Sequence, residues 1–508
     1  MRFLPGLALL SLALGEGESF AKTYYVGRPE NAPVGSQVEA SLASLNGRQF
    51  KPGDVILLES GRMHEGPLRL DAGDPGSPAA PVKILASDSR RKASIRVPKE
   101  GGSTVEIRGA SHVVVEGLKL VDDRVGENLP PSNGLVLSNE DPASRPENLL
   151  VRDVEASGFR GDRAGEAGPK VAAFGNGILV RNGWESPGLR RVSLERVAAH
   201  GNDWAGVQVA GDNWPKPSFR HEDVVVRDSV AHSNLGMAGK RHHSGHGIVV
   251  SNVARVELAG NVAFRNGERN EANGGPIGIW AWDAEDVWIH DNVSFANRTA
   301  SKSDGGGIDV DGSVKRAVVE RNLTFDNDGA GVLLCSFDGS EAVDGVRVRD
   351  NVSLADGRKN GYAGLTAYGD VVNSEMTGNV VARPPCDGTP GACFLREGAA
   401  AGVDVRGNSF LTPVAGVSAE FRGSASPAAA EAIRKIGKRN TVCRARPIGE
   451  GAPSEGFRIR LPRDWATMEF GELRRRLQVQ VPPDIEALIG EEMERPLPSH
   501  TTTPASGS

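Results

Sequence analysis

Apolar and polar residues alternate along the middle of the chain in short runs, and most runs open on a glycine. Examples are Gly177-Ile178-Leu179-Val180, Gly206-Val207-Gln208-Val209, Gly247-Ile248-Val249-Val250, Gly278-Ile279-Trp280-Ala281, Gly307-Ile308-Asp309-Val310 and Gly331-Val332-Leu333-Leu334. The first and third residues after the glycine are nearly always Ile, Val, Leu or Ala. A period of two predicts a strand with one buried face, so these positions point inward. A second string recurs as Asn261-Val262-Ala263-Phe264, Asn292-Val293-Ser294-Phe295, Asn322-Leu323-Thr324-Phe325, Asn351-Val352-Ser353-Leu354, Asn379-Val380-Val381-Ala382 and Asn408-Ser409-Phe410-Leu411, at spacings of 31, 30, 29, 28 and 29 residues. Another asparagine recurs at Asn234, Asn266, Asn297 and Asn327. A third strand precedes each first asparagine, as in Asp286-Val287-Trp288-Ile289-His290.

Three short strands in about 30 residues are too little chain for a propeller blade. They also leave no room for the crossover helix of a TIM barrel. The pattern predicts an all-β chain: a single-stranded, right-handed parallel β-helix of about ten coils, one coil per repeat. The asparagines then form ladders from coil to coil, as amide side chains do in stacked cross-β strands. The sequons at Asn292, Asn297, Asn322 and Asn351 are by-products of that repeat. The expected organisation is a signal peptide over 1–21, the β-helix over 22–425, a C-terminal helical capping region over 426–495 and a polar tail over 496–508. Helical periodicity at 427–436, 465–477 and 485–493 marks the capping region.

Composition sharpens this picture. Glycine is 64 of 508 residues, against about 7% in an average chain, and it has no period of three, which excludes a collagen-like chain. With 39% hydrophobic residues the chain can build a core and is not a disordered polymer. A net charge of −6 provides no positive excess for a phosphate backbone, so no nucleic-acid partner is expected. Met1-Arg2, the apolar run 3–14 and Ser19-Phe20-Ala21 read as a secretory signal cleaved after Ala21. The run is shorter than the ~20 residues that span a bilayer. The expectation is a secreted monomer, extracellular or periplasmic, without a membrane anchor. Cys386 and Cys393 bracket a short loop and predict a local disulfide. No CxxC pair points to zinc.

The opening of the chain carries Lys51-Pro52-Gly53-Asp54 before the strand Val55–Leu58. Gly76-Ser77, Pro81-Val82-Lys83-Ile84 and Val113-Val114-Val115-Glu116-Gly117-Leu118 follow. These motifs, with the repeat, resemble the secreted pectate-lyase-like β-helix proteins, including the alginate lyase and chondroitinase B group, over roughly residues 23–420. The resemblance implies the fold and a superfamily of lyases, hydrolases, epimerases and non-enzymatic binders, with a polysaccharide as partner. The lyase group's Asn-Lys-Ser element is not found; Lys302-Ser303 matches only its dipeptide.

Alternation places the second and fourth residues after each glycine on the outer surface. Down successive coils these are Val249 and Ser251, Trp280 and Trp282, Asp309 and Asp311, Leu333 and Cys335, Thr366 and Tyr368. Two outward tryptophans therefore lie one coil from two outward aspartates, a combination suited to stacking on sugar rings and handling their protons. Residues two apart on a strand are about 6.5–7 Å apart, and inverting glycosidases hold their carboxyl groups roughly 6.5–9.5 Å apart. Asp309 and Asp311 are thus the candidate acid and base. Trp280, Trp282 and the neighbouring Asp283 are the candidate substrate contacts.

Asp304 and Asp328 each sit three residues before a strand glycine and should stack. With Asp309, Asp311 and Asp326 they form an acidic cluster that would suit Ca²⁺, an ion the resemblance also implies. His246, in Arg241-His242-His243-Ser244-Gly245-His246-Gly247, is a candidate proton carrier. Its Gly-His-Gly element resembles one in polygalacturonase-type hydrolases, although here it precedes the carboxylates along the chain. Lys315 and Arg316, in the turn after the aspartates, are candidate contacts to an acidic sugar or the base of a lyase. The leading reading is a polysaccharide hydrolase. The alternatives are a Ca²⁺-assisted polysaccharide lyase and a non-catalytic glycan binder.

Overall fold

The computed structural model describes residues 21–126, 129–162, 175–211, 220–382, 394–397, 402–412, 419–422, 435–436, 438–444, 458–460 and 478–480. It is a right-handed parallel β-solenoid of about eleven turns. One sheet of 26 strands covers two faces, and a second sheet of 13 strands covers the third. The inward positions read from the alternation stack directly: Ile178 on Val207, Val207 on Ile248, Ile248 on Ile279, Ile279 on Ile308, and Ile308 on Val332. All belong to one buried apolar cluster that runs the length of the solenoid. Two of the expected three strands per coil fuse where the chain rounds one corner without a break, in His246–Ala259 and Ile277–His290.

The asparagines form two ladders. In the first, Asn261 Nδ2 donates to Asn292 Oδ1 at 3.0 Å, Asn292 to Asn322 at 2.9 Å, Asn322 to Asn351 at 2.9 Å and Asn351 to Asn379 at 2.9 Å. It continues through Asn408 to Asn440, each step at 2.8 Å. The second runs Asn202, Asn234, Asn266, Asn297, Asn327 and ends on the carboxylate of Asp356. Each rung is saturated on both sides. Asn292 Nδ2 also donates to the Leu258 carbonyl, and its Oδ1 accepts the Asn261 backbone N–H. A buried amide with every donor and acceptor used is the condition for placing it in a core. The four sequon asparagines are buried in these ladders, with their Nδ2 groups already bonded.

The strand-opening glycines pack against the second ladder. A Cβ on Gly206 would lie 2.8 Å from the Gly247 carbonyl and 3.0 Å from Asn234 Nδ2. On Gly247 it would lie 2.3 Å from the Gly278 carbonyl and 3.0 Å from Asn266 Nδ2. The two recurrent residue types are therefore one device: the glycine supplies the space that the amide of the next coil fills.

Left-handed residues form the corners. Asp153, Arg196, Asp228, Asp291, Arg321 and Asp350 occupy one corner with φ between 50° and 55°. Arg196 pairs with Asp153 at 2.7 Å and Arg321 with Asp291 at 3.0 Å across neighbouring coils. Aspartate tolerates this conformation best after glycine and asparagine, and the arginines between them separate like charges. A third column is aromatic: His200, His232, Phe264, Phe295 and Phe325 stack with ring centroids 4.6–4.9 Å apart.

The parallel pairing does not stop at residue 425. Ser409–Thr412 pairs with Thr441–Arg444, so a rung of the solenoid lies inside the region expected to be helical. The expected helix over 427–436 is described only at residues 435–436, which are helical, and the other expected helices, residues 1–20, the tail and the Cys386–Cys393 pair lie outside the described residues. No helix among the described residues is long and apolar enough to cross a membrane.

Replacing Asn322 by Ala removes two donated and two accepted bonds from a buried site. Unfolding in urea should show a loss of about 2–4 kcal/mol. Gly206→Ala should destabilise to a comparable degree because a backbone carbonyl must move, whereas Val38→Thr at an exposed position should be silent within about 0.5 kcal/mol.

Candidate functional site

The chemistry-bearing face is the one built from the glycine-led strands. Its register is the one expected: Val249 pairs with Trp280, Ser251 with Trp282, Trp280 with Asp309, and Asp309 with Leu333. The Asp311 N–H donates to the Ala281 carbonyl at 2.8 Å, which sets Asp311 beside Trp282. Ile308 and Val310 face the core, so Asp309 and Asp311 point outward, as the alternation requires.

Outward does not mean exposed at this face. Asp309 and Asp311 are only 3% and 7% accessible, and Trp280 only 5%. The connections between coils fold back over this part of the sheet. Trp280 packs with Trp204, Met237, Val249 and Ile277 in an apolar patch, with half-buried Trp282 at its edge. His246 lies 5.1 Å and His243 5.2 Å from the Trp280 ring, and Trp204 closes the far side at 5.8–5.9 Å from both histidines. Trp280 is therefore a wall of the site and not the open sugar platform expected of it.

Burial governs the electrostatics. It pushes the Asp309 carboxyl well above the ordinary range, helped by the charges of Asp311 and Asp304. Asp309 Oδ1 is buried with no hydrogen-bond partner. Burial also raises Asp311 to about 7, opposed by the Gly312 N–H and by the polar hydrogens of Cys335 and Trp280 beside it. The Gly312 N–H lies 2.7 Å from Asp311 Oδ1. Asp304 is raised by burial to about 6, with the Tyr362 hydroxyl 3.3 Å from its Oδ1. Three carboxyl groups that repel one another share this pocket, and Asp309 holds its proton more tightly than an ordinary carboxyl group.

His246 is buried, and burial holds it neutral, well below the usual histidine range; His243 is pushed down to about 4 by the same cause. The Ile277 N–H approaches His246 Nδ1 at 3.4 Å, which leaves Nε2–H to donate to His243 Nδ1 at 2.8 Å. The described contacts of His246 are to this amide, His243, Trp204 and Trp280. It meets the carboxylates through Trp280.

Asp304 and Asp328 occupy adjoining turns, as their spacing suggests, but their carboxyl groups serve different partners. Asp328 accepts the Thr299 N–H at 3.1 Å and faces Arg298 at 3.8 Å, and Asp326 is paired to Arg298 and Arg358. Among the described residues no three His, Cys, Asp or Glu side chains converge as ligands of one ion. The expected Ca²⁺ cluster is thus split by the arginines into an ion-paired half and a desolvated half without a cation.

Asp283 is also reassigned. It is buried and held by Arg220 at 2.7 Å, which binds Glu285 as well at 3.3 Å. It braces a corner and does not face a substrate. Lys315 and Arg316 leave the site because the turn at Gly312-Ser313 carries the chain onto the adjoining face, where they open the strand Lys315–Glu320. Lys315 pairs with Glu341 at 2.7 Å. Arg316 is bound by Asp286 and Glu285, which raise its pKa further, the reverse of what a base needs. Residues that the strand pattern does not mark include Trp204, His243 and Tyr362. They sit in inter-coil connections, where no alternation reports which way a side chain turns.

No protein-family model and no curated protein matches the sequence. Among solved structures, the GH136 lacto-N-biosidase from Eubacterium ramulus aligns over 79% of this chain and 68% of its own, at 17% identity and a TM-score of 0.54. Its selenomethionine form aligns over 84% and 68%, at 17% identity and a TM-score of 0.56. Pectate lyase Pel9A aligns over 80% and 82%, at 16% identity and a TM-score of 0.41. The chain shares its fold with the lacto-N-biosidase.

Because its folded pKa lies above the unfolded value near 4, Asp309 binds a proton more tightly when folded. Its contribution to stability is full at low pH and is lost as pH rises toward the folded pKa. Asp309→Asn should therefore raise stability at pH 8 and raise it less at pH 4. Thermal unfolding at the two pH values measures this.

Proposed function

We propose that this chain is a secreted, carbohydrate-active β-helix protein that hydrolyses glycosidic bonds of a glycan, with Asp309 as general acid and Asp311 as general base. The observation that carries the reading is the pair of outward carboxyl groups, two residues apart on one strand, roofed and desolvated beside aromatic side chains. Burial without a bonding partner keeps the Asp309 proton available for a leaving oxygen. Asp311, raised to about 7, is ionised enough near neutrality to take a proton from water. A spacing of about 6.5–7 Å for residues two apart on a strand falls in the range that leaves space for that water, and favours inversion at the anomeric carbon. Perturbed carboxyl pKa values clustered in one pocket are the usual mark of acid–base work. The basic start and apolar run at 3–14 support export.

The lyase reading loses its base with Lys315 and Arg316 on another face. The hydrolase reading expects new reducing ends, without ultraviolet-absorbing unsaturated products, when the mature chain meets a panel of neutral and acidic polysaccharides. Asp309→Asn and Asp311→Asn should each lower turnover by a factor of about 10² or more. Binding without reducing ends would favour the non-catalytic reading, and reducing ends with absorbance the lyase.

The rate should follow a bell against pH. The acid limb, centred near 7, falls as Asp311 gains a proton and stops acting as base. The alkaline limb falls as Asp309 loses the proton it must donate. Asp311→Asn should abolish the profile, and Trp288→Ala, on another face, should leave it in place.

A further inference from the structure

With Trp280 buried, the hydrolase reading needs another surface on which sugar rings can stack. Two large hydrophobic side chains stand open to solvent on the carboxylate face: Phe337, 38% accessible, and Tyr368, 43% accessible. Tyr368 occupies the same outward column as Trp282, Asp311 and Cys335, since Cys335 pairs with Tyr368. Trp282 and Tyr368 are three coils apart, about 14 Å at the spacing of neighbouring strands, with Asp311 between them.

Phe337 bridges that interval. It leaves the strand Val332–Cys335 on a tight turn closed by Ser340 N–H to Phe337 O at 3.0 Å and Phe337 N–H to Ser340 Oγ at 3.1 Å. Both ends of the turn are pinned to neighbouring coils. The Ser336 N–H donates to the Tyr368 carbonyl at 3.0 Å, and the Glu341 N–H to Ser313 Oγ at 3.0 Å. The Phe337 ring lies 6.4 Å from the Trp282 ring, edge to face. It sits over Gly312, where a Cβ would come within 2.7 Å of Phe337 Cε1. Gly312 is also the residue whose N–H binds Asp311. The ring is thus held one residue from the base, on a turn whose geometry is already fixed, so that little entropy is lost when a ligand stacks on it.

The charges left outside ion pairs along the strip, Asp338 and Asp370, are negative. Asp338, Glu341 and Asp370 are exposed along it. Two cations border it, and both are committed: Lys315 to Glu341 and Arg220 to Asp283. A polymer carrying a carboxylate on every unit would meet repulsion here, and an uncharged one would not.

We infer that Trp282, Phe337 and Tyr368 form the stacking subsite of the proposed hydrolase, that the glycan lies along the solenoid axis across Asp311, and that this glycan is uncharged. The inference rests on the hydrolase reading and names the substrate class that reading leaves open.

The test compares binding and cleavage of uncharged probes (galactomannan, xyloglucan, mixed-linkage β-glucan and human-milk-type neutral oligosaccharides) with those of polygalacturonate and alginate. The proteins are the parent, Phe337→Ala, Tyr368→Ala, the double variant and, as a control on another face, Trp288→Ala. We expect an uncharged probe to be preferred. The double variant should weaken its binding about tenfold or more, aromatic anchors being the residues whose truncation costs most, with the loss in kcat/KM carried mainly by KM. Tyr368→Phe should restore most of the affinity, and Trp288→Ala should match the parent. Thermal unfolding of each variant should match the parent, since both side chains are exposed. Parent-like binding by the double variant, with Asp311→Asn inactive, would overturn the subsite and leave the carboxylate reading standing. Preference for the uronates would overturn the substrate class. A parent that neither binds nor cleaves any probe would overturn both readings.

Discussion

An asparagine amide that bonds upward, downward and sideways at every turn is the constraint on which this solenoid depends. In a parallel stack the only repeating direction is the coil axis, and a side chain that repeats along it must satisfy its own copy above and below. Asparagine does so with one donor and one acceptor, and its remaining donor closes on the backbone at the corner. In the second ladder the glycine of the preceding strand leaves the room the amide occupies. Coil spacing and register follow from this lock, and every outward residue inherits a defined neighbour. The adjacency of Trp280 to Asp309 and of Trp282 to Asp311 follows from amides on another part of the coil.

The same regularity makes the carboxylate site conspicuous. At the corners, aspartates and arginines neutralise one another in water-facing pairs of modest worth. At Asp326 and Asp328 the arginines follow the acids inward. At Asp309, Asp311 and Asp304 no cation follows, and burial has raised all three carboxyl groups. Asp356 is also buried and raised to about 6, but the Thr324 and Ser353 hydroxyls and the Asn327 amide bond its carboxylate, whereas Asp309 Oδ1 has no partner, so desolvation lowers stability at this face. Such local costs are characteristic of sites whose chemistry needs a protonated acid beside an ionised one.

The loops decide how the face is used. The loop carrying His243, with His246 at the start of its strand, closes over Trp280 and converts it from platform to wall. The turn at Phe337 lies flat against Gly312 and leaves its ring in solvent. Tyr362, from a connection two coils further on, reaches back to Asp304. None of these segments has a periodic pattern, yet together they set which of the outward residues a ligand can touch.

The sequence by itself determined the architecture, because a repeat carries its own proof. Alternation of two named the strands, a recurrence near thirty residues named the coil, and the asparagines named the ladder; each is a local property multiplied by stacking. It also placed Asp309, Asp311, Trp280 and Trp282 on one face in the right order, since in a parallel stack the register is the spacing. What only the tertiary structure decided was depth and partnership. That Asp283 is spent on Arg220, that Lys315 and Arg316 turn the corner, that Asp304 and Asp328 go to different partners, and that Trp280 is covered while Phe337 and Tyr368 are open all depend on connections that cross between coils. Alternation reports the face on which a side chain lies, and the non-repeating loops, whose course is fixed by long-range contacts, decide whether water, an arginine or a glycan meets it there.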